Sequence, residues 1–342
     1  MPVSPLTPSE NRCVILNARP VGVPGVEFFD VVTRPLTAPL DGEFLVRNLF
    51  LSVDPAMRGW VNDTPNYSPP VPVGNVMRAI AVGEVIDSRH PGYSKGDRVC
   101  GTFGWQQFAV SDGENVMRKL DEEEKTPSLA LGVLGLNGLT AYFGLLDTCN
   151  PQPGETVVVS TAAGAVGSCV GQIAKIKGCR TVGIAGGPDK IENCLTEFGY
   201  DAAIDYQNTE DLQSELSAAC PDGVNVYFDN TCGPISDAVF ECLALHARIT
   251  VCGTASLQEW KPIPIGPRVH RQLLIARAKM TGFLVHDYKD RIGEAVAQLS
   301  AWINSGELAS REHVLEGIDT APGAIEMLYR GENTGKLIIR LD

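Results

Sequence analysis

The chain has 342 residues, 44% hydrophobic and 20% charged, the balance of an ordinary globular protein long enough for two domains. Its formal charge of −13 argues against nucleic-acid or anionic-membrane partners, both of which need basic surface. Ten cysteines without one C-x-x-C pair argue against a disulfide framework or a cysteine-rich zinc site, leaving free buried thiols of a reducing compartment.

Taken from the N-terminus, MPVSPLTPSENRCVIL lacks the basic start and apolar run of a signal peptide. No run of about 18 apolar residues follows to span a bilayer, so a cytoplasmic location is expected. Residues 1–130 hold short β-rich runs (RCVIL, GEFLVRNLFLSV, IAVGEVIDS, GDRVCGTFGW, QFAVS) separated by turn clusters such as HPGYSKGD. This texture predicts an antiparallel, barrel-like β domain. From Glu155 the rhythm becomes alternating. TVVVS, RTVGIA, AAIDY, VNVYFDN, RITVCG and KMTGFL read as strands, with helices between them near 190–198, 209–219, 234–245 and 267–277. Six strands with intervening helices predict an α/β fold with a doubly wound parallel sheet of the Rossmann type. A helix over about 288–304, a second in TAPGAIEMLYR and a last strand in KLIIRL complete the chain. The final α-β pair is assigned to the N-terminal β domain.

The first βα junction carries the chemistry. Ala162-Ala163-Gly164-Ala165-Val166-Gly167 follows a strand and opens a helix in which Val166, Cys169, Val170, Ile173 and Ala174 recur at helical spacing. It is an A-x-G-x-x-G version of the dinucleotide fingerprint, with alanine in the first glycine position. Gly164 lets backbone approach a pyrophosphate, Gly167 lets the helix pack closely, and the helix N-terminus holds the phosphate charge. A plain tight βα turn is the alternative, and the ordered βα units around the loop favour binding. NAD-selective sites carry Asp or Glu at the end of the second strand. Here that strand runs into Gly186-Gly187-Pro188, and Lys190 follows, so NADPH is expected over NADH.

With these stretches in view, the chain resembles the zinc-independent medium-chain dehydrogenase/reductase superfamily, in the branch of leukotriene/prostaglandin reductases, plant alkenal double-bond reductases and bacterial curcumin reductases. The resemblance rests on LSVDPAMRGW (51–60), YSPPVPVGNVMRA (67–79), GLTAYFGLL (138–146), AAGAVGSCVGQIAKIKGC (162–179), VGIAGGPDK (182–190), VYFDN (226–230), GFLVHDY (282–288) and GENTGKLII (331–339). It implies a GroES-like catalytic domain in two segments, 1–133 and 310–342, enclosing a Rossmann domain over 134–309. It also implies a homodimer, NADPH as hydride donor and reduction of a C=C bond conjugated to a carbonyl. Carried over by residue, it places Gly164, Ala165 and Val166 under the pyrophosphate, with Gly167 in the same cofactor-binding loop. Lys190 and Tyr206 match the pair that holds the 2′-phosphate, Gly186 is the cofactor-binding glycine of the turn before them, and Asn230 and Asn333 match asparagines near the cofactor. Thr140, Phe283 and Val285 belong to segments beside the nicotinamide. Relatives often read DPYMRG and carry a tyrosine after the V-C-G strand end; here Ala56 and Gln258 stand in those regions. Tyr67 matches a pocket tyrosine of the bacterial members, and Tyr67 or solvent is the candidate proton donor.

Zinc alcohol dehydrogenases of the superfamily carry G-H-E near the position of Val73-Gly74-Asn75. The five histidines (90, 246, 270, 286, 313) show no metal-like spacing, so no metal is expected. Conjugate reduction is then less demanding than direct carbonyl reduction, because charge spreads onto an enolate oxygen. Arg58 and Arg78 are expected in ion pairs rather than as substrate clamps, and Cys100, Cys232 and Cys252 as core thiols. A small-molecule unsaturated carbonyl is the expected substrate. A quinone or pathway-specific reductase of the same fold, or a non-catalytic NADPH-binding protein, are the alternatives.

Overall fold

The computed structural model describes residues 9–63, 66–257 and 262–341. The chain divides into two compact units, Met1–Leu131 with His313–Asn333 and Leu337–Asp342, and Gly132–Glu312 with Thr334–Lys336. No helix among the described residues is long and apolar enough to cross a membrane.

The first unit opens with β1 (Glu10–Leu16), β2 (Phe29–Pro35) and β3 (Phe44–Ser52), followed by the one-turn helix α1 (Met57–Trp60). Strands β4 (Ala81–Ser88), β5 (Arg98–Gly101), β6 (Phe108–Ser111) and β7 (Val116–Lys119) follow. β1 and β2 form an antiparallel hairpin, bridged to the larger sheet's loops at Cys13–Gln106 and Ile15–Val76. The nine residues of β3 make it the organising strand, with β4 and β6 paired antiparallel to it. Its own Phe44 is almost wholly buried in one core cluster with Trp105, Met57 and Met77. Arg118 and Glu124 close the far end with a two-pronged ion pair at 2.6 and 2.8 Å, burying charge only where it is matched.

The second unit runs α2 (Leu136–Leu146), β8 (Thr156–Ser160), α3 (Ala165–Ile176), β9 (Arg180–Ala185), α4 (Pro188–Thr196), β10 (Ala202–Asp205), α5 (Leu212–Ala219), β11 (Val224–Asp229), α6 (Gly233–Phe240), β12 (Leu243–Val251), α7 (His270–Ala276), β13 (Lys279–Gly282) and α8 (Ile292–Ser305). Its six strands are ordered β10-β9-β8-β11-β12-β13, every neighbouring pair parallel, which is the doubly wound Rossmann arrangement. β8 is buried at every position, as a strand covered on both faces must be. Leu216, Val239 and Phe240 pack on Val158, Val182 and Ile249. A second cluster joins Leu139, Phe143, Phe283 and Ala295.

The chain ends with β14 (Glu312–Glu316), α9 (Ala321–Arg330) and β15 (Lys336–Arg340). β15 pairs antiparallel with β3, Ile338 opposite Ser52, and thereby joins the first unit's seven-stranded sheet. Two local expectations change. The helix expected over 234–245 ends at Phe240, because Leu243 pairs with Val224 and draws the chain into β12. The nearly all-apolar α2, and the strands β2, β7 and β14, were not among the expected elements.

Candidate active site

In the second unit the order of strands reverses between β8 and β11, and the crevice beyond their C-terminal ends is where a doubly wound sheet binds ligands. Asn230 ties the two ends together: its N–H donates to Ser160 Oγ at 2.8 Å and its Nδ2 to the Ser160 carbonyl at 2.7 Å. Next to it the buried Asp229 accepts from Thr231 and Cys232 N–H and from the Tyr227 and Ser236 hydroxyls. These bonds fix the loop leaving β11.

The glycine loop leaves β8 at Thr161, which holds φ at +55°, an unusual place for a β-branched residue. Its carbonyl accepts the Gly164 N–H at 2.9 Å, closing a tight turn. Gly164 is the N-cap of α3 and offers no side chain to the helix start, so the first-turn amides of Ala165, Val166 and Gly167 keep their donors for a ligand. A methyl at Gly167 would overlap the Thr161 carbonyl and sit 2.9 Å from Ala162 Cα, so glycine alone fits there. Alanine in the first position is accommodated across the sheet, since a Cβ on Gly183 would lie 2.8 Å from the Ala162 methyl. One turn further along α3, Gly171 admits the ring of Tyr200, whose hydroxyl donates to the Gly167 carbonyl at 2.7 Å. On the open side Gly335, at φ +68°, bridges Gly164.

At the end of β9, Gly187 holds φ at +89° and its N–H donates to Asp205 at 2.9 Å. Asp205 also accepts from Gln207 N–H and Asn208 Nδ2. Partial desolvation works against its charge, but these donors outweigh it and hold the carboxyl below its usual range. Its negative charge is thus spent on the turn. A Cβ on Gly186 would lie 2.8 Å from the Gln207 amide and 3.0 Å from the Tyr206 ring, which brings Gly186 and Tyr206 together. Lys190 lies in the first turn of α4, half-buried, with no carboxylate in ion-pair reach among the described residues. Desolvation draws its ammonium pKa below the usual lysine value, with only Cys194 opposing. A desolvated cation at the positive end of a helix, without an anion, is an anion site in waiting.

Other expected residues take different places. Thr140 is buried on α2 and its hydroxyl donates back to the Leu136 carbonyl at 2.6 Å. Phe283 turns its ring into the core, with Gly144 making room for it, while its N–H donates to Val251. Val285 begins the short helical turn after it. Asn333 is half-buried in the loop before Gly335, in the segment counted with the first unit. Burial pushes the thiols of Cys100, Cys232 and Cys252 up to about 12, so none offers a thiolate near neutral pH. Sequence reasoning missed Asp205, Gly171 with Tyr200, and Asn137, whose buried Oδ1 has no hydrogen-bond partner among the described residues. The recurrence of glycine four residues after Gly167 was the only signal for Gly171; the others had none.

In the first unit Ala56 caps α1, and Tyr67 stands 52% exposed in the loop after it, its N–H donating to Asn66 Oδ1. Arg58 lies over the Tyr329 ring at 4.7 Å. Arg78 departs from expectation: its guanidinium donates to the Pro69 carbonyl at 2.9 Å and covers Trp60, taking a carbonyl and an aromatic face instead of an ion pair. Gln258 lies outside the described residues. Among those residues no group of three or more His, Cys, Asp or Glu is gathered to hold a metal ion.

A two-domain oxidoreductase is the class this fold defines. The family model described as the N-terminal domain of oxidoreductase matches residues 12–118, and that described as zinc-binding dehydrogenase matches residues 165–301. A Bacillus subtilis relative named as an NADP-dependent oxidoreductase is 46% identical over 98% of this chain and 99% of its own length. The NADPH-dependent curcumin reductase of Escherichia coli is 40% identical over 97% of each chain. CurA from Vibrio vulnificus, solved in complex with NADPH, superposes with a TM-score of 0.91 at 41% identity, covering 97% of this chain and 99% of that one. The chain belongs to the medium-chain dehydrogenase/reductase superfamily, in the branch of curcumin, prostaglandin and 2-alkenal reductases.

Proposed function

We propose that this protein is an NADPH-dependent reductase of the C=C bond in α,β-unsaturated ketones or aldehydes. The observation that carries the cofactor choice is Lys190, a half-buried cation with no carboxylate partner among the described residues, beside a β9 end that offers none. The residues fit the group. Gly164, Ala165, Val166 and Gly167 leave helix-start amides for the pyrophosphate, and Gly186, Lys190 and Tyr206 leave a cationic, uncrowded corner for the 2′-phosphate. Thr140, Phe283 and Val285 are assigned to the nicotinamide end, Asn230 and Asn333 to the cofactor's surroundings, and Asn137 Oδ1, unpartnered among the described residues, is suited to accept from a carboxamide. When bound, NADPH supplies a hydride. The remaining task falls to the first unit. Tyr67 donates its phenolic proton to the substrate α-carbon, its O–H breaking as the C–H forms, and its exposure lets solvent restore the proton. Ala56 sets the width of the substrate pocket, to which Gln258 is assigned by resemblance alone.

NADPH oxidation with a panel of enals, enones and quinones, followed by product identification, tests this reading. Saturated carbonyl products are expected, and Tyr67→Phe should lower kcat by about 10²-fold or more with the KM for NADPH unchanged. Allylic alcohols would sink the proposal, exclusive turnover of quinones would favour a quinone reductase, and tight NADPH binding without any turnover would favour a binding protein. We also propose a homodimer formed along β13, an edge strand exposed at all four residues, with Met280, Leu274 and Ile275 exposed around it. The ten cysteines, all free, fit a cytoplasmic location, which fractionation of the native cell would check.

A further inference from the structure

We propose that Tyr329 on α9 is a positioning residue for the substrate pocket, clamping the turn Pro55–Arg58 and, through it, Tyr67. The inference rests on the reading that Ala56 and Tyr67 line that pocket.

α1 has four residues, too few to hold its place by its own hydrogen bonds, so contacts from outside must fix it. Tyr329 supplies two of them. Its hydroxyl donates to the Pro55 carbonyl at 2.9 Å, on one side of the Ala56 cap. Its ring lies beneath the guanidinium of Arg58, 4.7 Å from the centroid, on the other side. Arg58 is itself 7% exposed, so that contact works in a setting where cation–π attraction is stronger than at an open surface. Ala56 and Tyr329 pack against the same core cluster.

The clamp reaches Tyr67 through one intermediate. A Cβ on Gly59 would lie 2.5 Å from Asn66 Nδ2, so Asn66 sits directly over the α1 backbone. The other end of that amide, Oδ1, accepts the Tyr67 N–H at 2.7 Å. Moving α1 therefore moves Asn66 and, with it, the backbone of Tyr67. The two phenols also sense each other: burial raises the Tyr329 pKa, Arg58 opposes the rise, and Tyr67 adds to it. Nothing in the sequence marked Tyr329, which sits at an ordinary helical position in IEMLYRG.

Tyr329→Phe keeps the ring and loses the hydroxyl, and Tyr329→Leu loses the face beneath Arg58 as well. Both variants are compared in the full-length protein with an enone acceptor. Tyr329→Phe is expected to raise the acceptor KM about two- to tenfold, the share of one neutral hydrogen bond, and Tyr329→Leu further. The KM for NADPH should stay unchanged in both. Hydrogen–deuterium exchange of residues 55–63 should quicken in Tyr329→Leu, a reading that needs no substrate. Unchanged exchange there, or a uniform fall in melting temperature with the acceptor KM untouched, overturns the inference. Faster exchange in a protein that reduces no conjugated acceptor keeps the clamp and removes the proposed function instead.

Discussion

Lys190 illustrates how a single residue narrows a cofactor. In sequence it is one lysine after a proline and an aspartate, and its solvated-surface reading is the common one. The structure takes it half out of water, at a helix start, while Asp205, the nearby acid that might have neutralised the corner, is committed to the Gly187 turn. The expectation is therefore asymmetric. Lys190→Ala should raise the KM for NADPH at least about tenfold, the scale of a charged hydrogen bond, while leaving that for NADH nearly unchanged. Steady-state kinetics with both cofactors checks it, and equal losses would remove Lys190 from the phosphate site. Asp205 could not be read in advance, because the donor that ties it to the Gly187 turn reaches it only when β9 and β10 pair, whereas Gln207 and Asn208 lie in its own turn.

At the scale of elements, the parallel sheet was legible because its strands are buried on both faces and so appear as short β-branched runs between helices. The glycine loop was legible for a related reason: its spacing is set by backbone clearance within one turn. What escaped was decided by packing between distant segments. LNGLTAYFGLL buries most of its surface and so lacks the one-sided period that marks a surface helix. The end of α6 is set by the pairing of Leu243 with Val224, which overrides a continuing helical pattern. Gly171 belongs to this second class. Gly171→Ala would drive a methyl into the Tyr200 ring and should destabilise the protein by about 1–3 kcal/mol, read from chemical denaturation. Unchanged stability would mean that the ring moves aside freely, and the Tyr200–Gly167 bond would then not hold the loop.

For the molecule as a whole, the apolar side chains exposed around β13 bear on its state in solution. Met280→Lys places a charge on that edge strand and should shift sedimentation from dimer to monomer at micromolar concentration. A wild-type monomer at the same concentration would dismiss the dimer outright. A different consequence follows from the pairing of β15 with β3. The body of the second unit, Gly132–Glu312, is continuous in sequence, whereas the first unit needs β14, α9 and β15, all of which follow it. On the ribosome Phe50–Ser52 of β3 therefore wait on the order of tens of seconds without the partner they take in β15, while the residues in between are made. A nascent chain stopped after Glu312 carries the continuous body of the second unit, still without the Gly335 bridge to Gly164, and an unclosed β sheet, so both units are completed by the last thirty residues made.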